Sequence, residues 1–233
     1  MAHRGKRHRA MAKLADAGKK VYILSEAISF LKENSVCKFD ETVEVAINLN
    51  VDPRAADQNI RGIVTMPAGT GKRTRIAVFA RGKAADAAVD AGADYVGADD
   101  LAEKISAGDI EFEVCIAAPD MMGVVGRLGK ILGPKGLMPN PKLGTVTPNV
   151  GAAVNNFRAG QVEYRLDKTG IIHAGLCKLS FTKEKIIDNI KAYIGAVLKA
   201  KPVGVKGAYL KAVTVSTTMG VGLRLDKTEV FGF

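Results

Sequence analysis

The sequence predicts an α/β protein that contains segments of two kinds. In the middle, short apolar strands alternate with alanine-rich helices, an order that produces a parallel, doubly wound sheet. Towards both ends, strands of alternating apolar and polar residues stand beside single helices, which is typical of antiparallel α+β structure. The pattern changes near Pro67 and again near Gly160. We therefore expect residues 67–159 to form a segment of their own.

The N-terminal segment predicts one short helix followed by one strand. Ser25 is a plausible N-cap for a helix whose apolar stripe is Ala27, Ile28 and Leu31. From Val43 to Leu49, apolar residues alternate with Glu44, Ala46 and Asn48. This period of two predicts a half-buried strand.

The middle segment predicts repeated strand and helix units. The expected strands are residues 75–80, 93–96 and 112–117, and the expected helices are residues 83–91, 101–107 and 123–132. The last helix runs into a loop rich in proline and glycine, residues 132–147, through which no regular helix or strand can be drawn. We expect a parallel sheet covered by helices.

The C-terminal segment predicts a hairpin, a long helix and a final strand. Val162, Tyr164 and Leu166 alternate with polar residues, and residues 167–170 form a turn before Ile171 and Ile172. Thr182 is the expected N-cap of an apolar-periodic helix that Pro202 stops, and residues 209–218 return as a strand. Neither end has enough elements for a convincing core, but the pattern alone does not prove that the two ends join.

The charge of the chain points to a polyanionic partner. The formal net charge is +10, and residues 1–20 carry seven lysines and arginines against one aspartate. A basic arm of this kind can follow phosphates without reading sequence, and its binding would then depend strongly on salt. A solvated, disordered terminus is the alternative, and the arm can be both, with order arriving on binding.

Several classes of protein are not indicated. No apolar run approaches the roughly 20 residues of a membrane span, and the N-terminus lacks the apolar stretch of a secretory signal, so we expect a cytoplasmic protein without a membrane partner. Cys37, Cys115 and Cys177 lie far apart, which favours inert thiols over a disulfide or zinc site.

Two glycine-rich segments suggest nucleotide binding but have the wrong spacing. In residues 68–73, Arg73 stands where a phosphate loop needs serine or threonine, and the segment precedes a strand instead of following one. Gly123, Gly126 and Gly129 do not give the dinucleotide spacing, and we interpret them as sites of close helix packing. We expect no cofactor.

The sequence also contains no recognisable group of catalytic or metal-binding residues. His3 and His8 lie in the basic arm, and His173 is the one histidine expected on an ordered element. Asp99, Asp100 and Glu103 lack metal-loop spacing and are expected to begin a helix. We expect no enzyme and no metal; an enzyme that uses the middle segment for a nucleotide or phosphorylated substrate is the rival hypothesis.

RNA recognition is the function that the remaining features favour. Residues 216–220 (Ser-Thr-Thr-Met-Gly) place hydroxyls, an unbranched apolar side chain and a glycine at the end of a strand. RNA readers commonly use such groups on sugars, phosphates and exposed bases. Phe39 could add packing, although a core position is the more common fate of an aromatic residue.

A family resemblance extends through most of the chain. Its motifs are LGPKGLMPNPKLGTVT at residues 132–147, KFDETVEV at 38–45, DQNIRG at 57–62, AGADYVG at 91–97, DKTGIIHAG at 167–175 and STTMG at 216–220. With these motifs in this order, the chain resembles the large-subunit ribosomal protein L1 family in its bacterial form. The resemblance implies a split α+β domain with an antiparallel sheet, residues 1–66 plus 160–233. This domain would be interrupted by a Rossmann-like three-layer α/β domain, residues 67–159. Because the two connections contain small or turn-forming residues, we also hypothesise that the inserted domain moves about Pro67 and Gly160.

The resemblance also implies a function and its partners. The protein would be a structural component of the large ribosomal subunit that binds 23S-type rRNA at the mobile stalk and assists release of deacylated tRNA from the exit site. Free and monomeric, it would repress translation of its own operon mRNA; in the ribosome it would contact other ribosomal components. The implied RNA-binding residues are Lys38, Phe39, Thr42, Thr217, Thr218, Met219 and Gly220, with Lys168, His173 and Lys178 as weaker candidates.

Two positions depart from the family pattern. Val221 follows Met219-Gly220 where proline is common, and Cys177 stands where glycine is usual. These changes question the rigidity of the turn and the backbone conformation at residue 177. A binder that uses only the basic arm and ignores RNA shape is a second rival hypothesis.

Overall fold

The chain divides into two compact units. The computed structural model describes residues 5–16, 20–202, 204–205, 207–226 and 228. One unit is Met1–Lys72 with Gly160–Phe233, and the other is Arg73–Ala159. Each unit buries its own cluster of apolar side chains. The expected α/β fold class is confirmed.

The secondary structure alternates between helices and strands along the chain. The α-helices are α1 (Lys6–Leu14), α2 (Leu24–Glu33), α3 (Lys83–Asp90), α4 (Asp99–Ser106), α5 (Met122–Arg127), α6 (Gly129–Leu132), α7 (Val150–Arg158) and α8 (Lys183–Lys199). The strands are β1 (Val21–Tyr22), β2 (Thr42–Leu49), β3 (Arg61–Thr65), β4 (Ile76–Phe79), β5 (Tyr95–Gly97), β6 (Val114–Ala117), β7 (Gln161–Arg165), β8 (Ile171–Lys178), β9 (Leu210–Thr217) and β10 (Leu223–Leu225). Short 3₁₀ turns lie at Ala56–Gln58, Pro119–Met121 and Pro141–Leu143.

The first unit is built on a five-stranded sheet with the order β1-β10-β9-β2-β8. β1 runs parallel to β10, and the other neighbouring strands are antiparallel. The predicted alternation in β2 is confirmed, because its apolar residues at 43, 45, 47 and 49 are buried. They pack in one core with the apolar faces of α2 and α8.

The predicted hairpin at residues 162–172 is wrong in its pairing. The turn is present, with one bridge between Leu166 and Ile172, but β7 pairs with β3 in a separate two-stranded sheet. β8 instead pairs with β2. A local turn signal fixes the reversal of the chain, whereas the choice of partner depends on strands that are far away in sequence.

The predicted helix caps are corrected in detail. Ile23, not Ser25, is the N-cap of α2, and the Ser25 carbonyl accepts a hydrogen bond from Ser29 within the helix. Thr182 is the N-cap of α8, but its side chain makes no capping hydrogen bond. Burial of the apolar stripes therefore holds these helices more than side-chain capping does.

The second unit contains a three-stranded parallel sheet with the order β5-β4-β6. α3 packs against α7, and α4 packs against α5. The predicted helix over residues 123–132 is interrupted at Leu128. There the Leu128 N–H donates to the Val125 carbonyl, a 3₁₀-type hydrogen bond to the third residue back along the chain.

The described part of the basic arm contains a helix. α1 spans much of it, and Met11 and Ala15 are buried against the core of the first unit. Arg9 and Lys13 remain exposed. His3, Arg4 and Lys19, which belong to the predicted arm, lie outside the described residues.

Candidate nucleic-acid interface

Most of the predicted contact residues meet at one end of the five-stranded sheet. Thr42 begins β2 opposite Lys178, the last residue of β8. Val43 pairs with Thr217, the last residue of β9. Strand register thus brings together residues from three distant parts of the chain. We call residues 217–220 the TMG turn and residues 35–41 the lead loop.

Backbone and hydroxyl hydrogen bonds fix the TMG turn to the start of β2. The Thr42 N–H donates to Thr218 Oγ1 at 2.9 Å, and the Thr218 N–H donates to the Thr42 carbonyl at 3.1 Å. The Gly220 N–H closes the turn on the Thr217 carbonyl at 3.0 Å. A Cβ atom at Gly220 would overlap the Thr217 hydroxyl oxygen, so the close approach requires glycine.

Large apolar side chains are exposed on both sides of this junction. Phe39 in the lead loop is 55% exposed and Met219 in the TMG turn is 50% exposed. Phe39 is therefore not a core aromatic. Val36, which the sequence reasoning missed, is 67% exposed in the same lead loop. The sequence could have indicated this exposure, because Val36 lies between the end of α2 and the start of β2. It therefore belongs to neither apolar stripe.

The two lysines near the junction have different surroundings. Lys38 is exposed in the lead loop. Lys178 is partly buried, and its Nζ donates to the Asp40 carbonyl and to Thr42 Oγ1, each at 3.2 Å. Asp40 in turn accepts hydrogen bonds from the Ser180 N–H and hydroxyl. Lys178 therefore braces the lead loop as well as placing a cation beside it.

A buried carboxylate, Glu41, lies beneath the junction. Its residue is only 3% exposed, and Ser35 Oγ lies 3.4 Å from Glu41 Oε1. Burial by itself raises the Glu41 pKa and is the largest single influence. Hydrogen-bond donors at Cys37, Thr217, the Met219 backbone and Ser35 outweigh it, so the pKa is lowered and the carboxylate stays charged at neutral pH.

The sequence carries a signal for Glu41 that the sequence analysis did not use. Residue 41 is in phase with the buried positions 43, 45, 47 and 49 of β2. Side chains two residues apart along a strand point to the same face. An acidic residue in phase with a buried apolar series predicts a carboxylate with partners inside the protein.

Lys168 and His173 are not part of the junction. Lys168 lies in the turn before β8, whereas Lys178 is the last residue of that strand. The first and last residues of β8 are seven steps apart, which at the usual rise per residue in a strand is roughly 23 Å. Lys168 lines a groove of about 420 Å³ with Arg54 and Arg165. His173 is exposed partway along β8, with Nε2 3.8 Å from Asp167 Oδ2.

One face of the five-stranded sheet carries mostly small and polar groups. The register places Val21, Arg224, Thr214, Ala46 and His173 in one row across the five strands. Arg224 and His173 are exposed, and Thr214 and Ala46 are partly exposed. The sequence analysis missed Arg224 and Thr214, because a row of cross-strand neighbours has no sequence spacing of its own.

The two departures from the family pattern have structural explanations. Val221 is buried in the core of the first unit directly after the TMG turn. Cys177 is buried opposite Val43, and among the described residues positive φ at a residue other than glycine occurs at Asp16, not at Cys177. Burial raises the pKa of the Cys177 thiol to about 11, which agrees with an inert thiol.

The candidate nucleotide segments have structural roles or none. The Asn189 side chain accepts from the Ala68 N–H at 3.0 Å and donates to the Gly69 carbonyl at 2.8 Å, which fixes that turn to α8. The close-packing interpretation of the glycines is wrong, because a Cβ atom would meet open space at each one: Gly123, Gly126 and Gly129. Nothing in the structure explains why glycine stands at these three positions.

The acidic cluster begins a helix, as predicted. α4 starts at Asp99, and the Ala98 N–H donates to Asp100 Oδ1 at 2.8 Å, which lowers the Asp100 pKa. Among the described residues, no group of three or more histidines, cysteines or acids could hold a metal ion. No helix in that part of the chain is long and apolar enough to cross a membrane.

Comparison with known protein families identifies one match. The model of the ribosomal protein L1p/L10e family matches residues 31–221, well over half of the chain. The matched region contains both the lead loop and the TMG turn.

Proposed function

The chain belongs to the ribosomal protein L1p/L10e family, and from that premise we propose that it binds the mobile stalk rRNA through the lead loop and the TMG turn. Membership supports a structural role in the large ribosomal subunit and binding to rRNA. The family is structural, not enzymatic.

The observation that carries the proposal is the combination of exposed apolar groups with a firmly held backbone. Phe39 and Met219 are exposed at a junction that two hydrogen bonds between Thr42 and Thr218 hold together. Exposing large apolar side chains to water gains nothing for the folded chain, whereas they can stack on bases and sugars. A prearranged surface also loses less entropy on binding.

Charge and sheet geometry support a wider RNA footprint. Lys38 lies next to Phe39, and the row that contains Arg224 and His173 continues across the open face of the sheet. We assign Lys168 and His173 to this outer footprint and not to the central contact. Phosphate contacts there would position the RNA, while the junction would read its shape.

We further propose two activities in translation. On the ribosome the protein would contact exit-site tRNA and other ribosomal components and assist release of the deacylated tRNA. Free in the cytoplasm as a monomer, it would bind its own operon mRNA through the same junction and repress translation. Competition explains this regulation, since the tighter rRNA site must fill before the mRNA is bound.

The test compares wild type and Thr218→Val on a stalk rRNA fragment and an unrelated structured RNA of equal length, at two salt concentrations. Valine keeps the side-chain shape but cannot accept the Thr42 N–H. Loss of one hydrogen bond predicts about tenfold weaker stalk binding, with an unchanged salt dependence. Thr65→Val, at an exposed position of β3, is the matched control and should leave both affinities unchanged.

Either of two results would contradict the proposal. Wild type could bind both RNAs equally and lose both together as salt rises, which would leave only charge-driven binding. Alternatively, Thr218→Val could keep the full preference for the stalk fragment, which would remove the TMG turn from recognition.

A further inference from the structure

Glu41 is an unusual residue for the centre of an RNA-binding surface. A carboxylate repels phosphates, and burying it costs free energy unless hydrogen bonds compensate. Glu41 is almost fully buried directly between Asp40 and Thr42, and its Oε2 has no hydrogen bond of regular geometry among the described residues. An acid kept there despite both costs requires a structural reason.

The reason lies in what surrounds the carboxylate. Ser35 Oγ in the lead loop lies 3.4 Å from Glu41 Oε1. On the other side, Thr217 is buried and pairs with Val43, two residues after Glu41, and Thr217 and Met219 both help to lower the Glu41 pKa. The lead loop and the TMG turn come from opposite ends of the chain. One buried side chain therefore lies where the two segments that carry the exposed apolar groups meet.

The Glu41 backbone is also anchored. Its carbonyl accepts a hydrogen bond from the Leu179 N–H at 2.8 Å, just beyond the end of β8. Thr217 is buried, and its hydroxyl oxygen occupies the space that a Cβ atom at Gly220 would need. The Glu41 carboxylate thus lies on an anchored backbone beside a hydrogen-bonded turn, an arrangement that can transmit position from one loop to the other.

We propose that Glu41 is a positioning residue for RNA recognition: it holds the lead loop and the TMG turn in register, so that Val36, Phe39 and Met219 form one contact surface. This inference rests on the proposed function, because it assigns the internal support of the same RNA-binding junction. Glu41 acts through the two loops and does not itself touch RNA.

Whether Glu41→Gln strengthens or weakens RNA binding separates a positioning role from simple electrostatics. Glu41→Gln removes a negative charge and raises the net charge by one. Electrostatics alone therefore predicts tighter binding to every RNA. A positioning role predicts the opposite for the stalk RNA, because a glutamine amide keeps one acceptor oxygen and puts an NH₂ donor in place of the other beside the Ser35 hydroxyl.

The experiment measures the affinities of full-length wild type, Glu41→Gln and Glu33→Gln for a stalk rRNA fragment and an unrelated structured RNA. Glu33 is an exposed acid at the end of α2, so its replacement makes the same charge change without a buried site. We expect at least a tenfold loss of stalk affinity for Glu41→Gln, with binding to the unrelated RNA unchanged or slightly tighter. Glu33→Gln should keep the wild-type ratio of the two affinities.

Hydrogen exchange supplies a second readout on the same proteins. Amide protection of the TMG turn should fall in Glu41→Gln while β2 and α8 keep their protection. If the variant is unstable, Ser35→Ala with Cys37→Ala removes donors from the lead loop alone and should reduce the affinity ratio by a smaller factor.

The outcomes distinguish the inference from the function on which it rests. Wild type without a stalk preference overturns the proposed function and this inference together. A wild-type preference that Glu41→Gln retains, with unchanged exchange in the TMG turn, overturns the inference alone. A loss of preference with global loss of protection in all variants would identify Glu41 as a stability residue only.

Discussion

At the scale of single residues, the junction of the lead loop and the TMG turn depends on close contacts between individual groups. Gly220 is the clearest case, because the space for its missing side chain is already filled by the Thr217 hydroxyl. The requirement for glycine here comes from crowding and not from a left-handed backbone, since Gly220 is not among the glycines with positive φ. A neighbour from the same strand end therefore decides the residue type.

Gly220→Ala should weaken both folding and binding. Overlap of the new methyl group with Thr217 costs about 1–3 kcal/mol of unfolding free energy, and the displaced turn should bind the stalk fragment less tightly. Urea unfolding and RNA titration measure the two effects. Gly126→Ala is the control, because its Cβ meets open space within α5; it should gain up to about 1 kcal/mol. Equal effects of the two substitutions would contradict the crowding argument.

Phe39→Ala separates binding from folding at another residue. The ring is more than half exposed, so its removal should change the unfolding free energy by less than about 0.5 kcal/mol. Loss of stacking should weaken stalk binding by about 1–3 kcal/mol. Val89→Ala, another exposed apolar residue on α3, should change neither quantity. A large loss of stability in Phe39→Ala would instead place the ring in the core.

At the scale of elements, the turn between β7 and β8 shows how far local signals reach. The Asp-Lys-Thr-Gly sequence predicts a reversal, and Asp167 accepts hydrogen bonds from the Thr169 and Ile171 N–H groups to make it. The two strands nevertheless join different sheets. Turn chemistry is local, but β7 finds its partner β3 about a hundred residues earlier in the chain.

The same turn gives the protein a predictable response to acid. The Ile171 N–H and the Thr169 side chain lower the pKa of Asp167 below its unfolded value. A lowered pKa adds stability above the unfolded pKa of about 3.9, and that stability is lost as pH falls through the folded pKa. Asp167→Asn should therefore be less stable than wild type at pH 7, with a difference that shrinks below about pH 4.

Chemical unfolding across pH 2.5 to 7 measures this difference. Asp188→Asn, at an exposed position on α8, is the control and should differ little from wild type over the whole range. A difference for Asp167→Asn that stayed constant down to the lowest pH would refute the assignment.

At the scale of the whole molecule, the distribution of charge separates general from selective RNA binding. The net charge of +10 favours any polyanion, and α1 carries exposed Arg9 and Lys13 on a helix anchored by buried Met11. The Arg7 Nη1 atom lies 3.5 Å from Cys37 Sγ, which places this helix beside the lead loop. The arm is thus positioned to add phosphate contacts next to the junction.

Replacing Arg9 and Lys13 together with glutamine should weaken binding to both RNAs by similar factors. Each lost phosphate contact lowers the slope of log affinity against log salt by about 0.9. The preference for the stalk fragment should remain, because the junction is unchanged. Lys83→Gln with Lys104→Gln makes the same charge change in the second unit and is the control. If the α1 substitutions removed the preference, the arm would itself read RNA shape.

The sequence by itself determined the kinds of structure in each segment and the residues on most buried faces. Local periodicities account for the alternation in β2, the apolar stripe of α8 and the strand and helix units of the middle segment. A local period specifies which side of a helix or strand is buried. The family motifs likewise named the TMG turn and Phe39 without any structure.

Only the tertiary structure decided which elements pair and which residues support the junction. Register between β2, β8 and β9 placed Thr42 beside Lys178 and Thr217, and the resulting enclosure buried Glu41. The physical reason is that strand pairing and side-chain enclosure are set by contacts between distant parts of the chain, and these contacts have no characteristic spacing in the sequence.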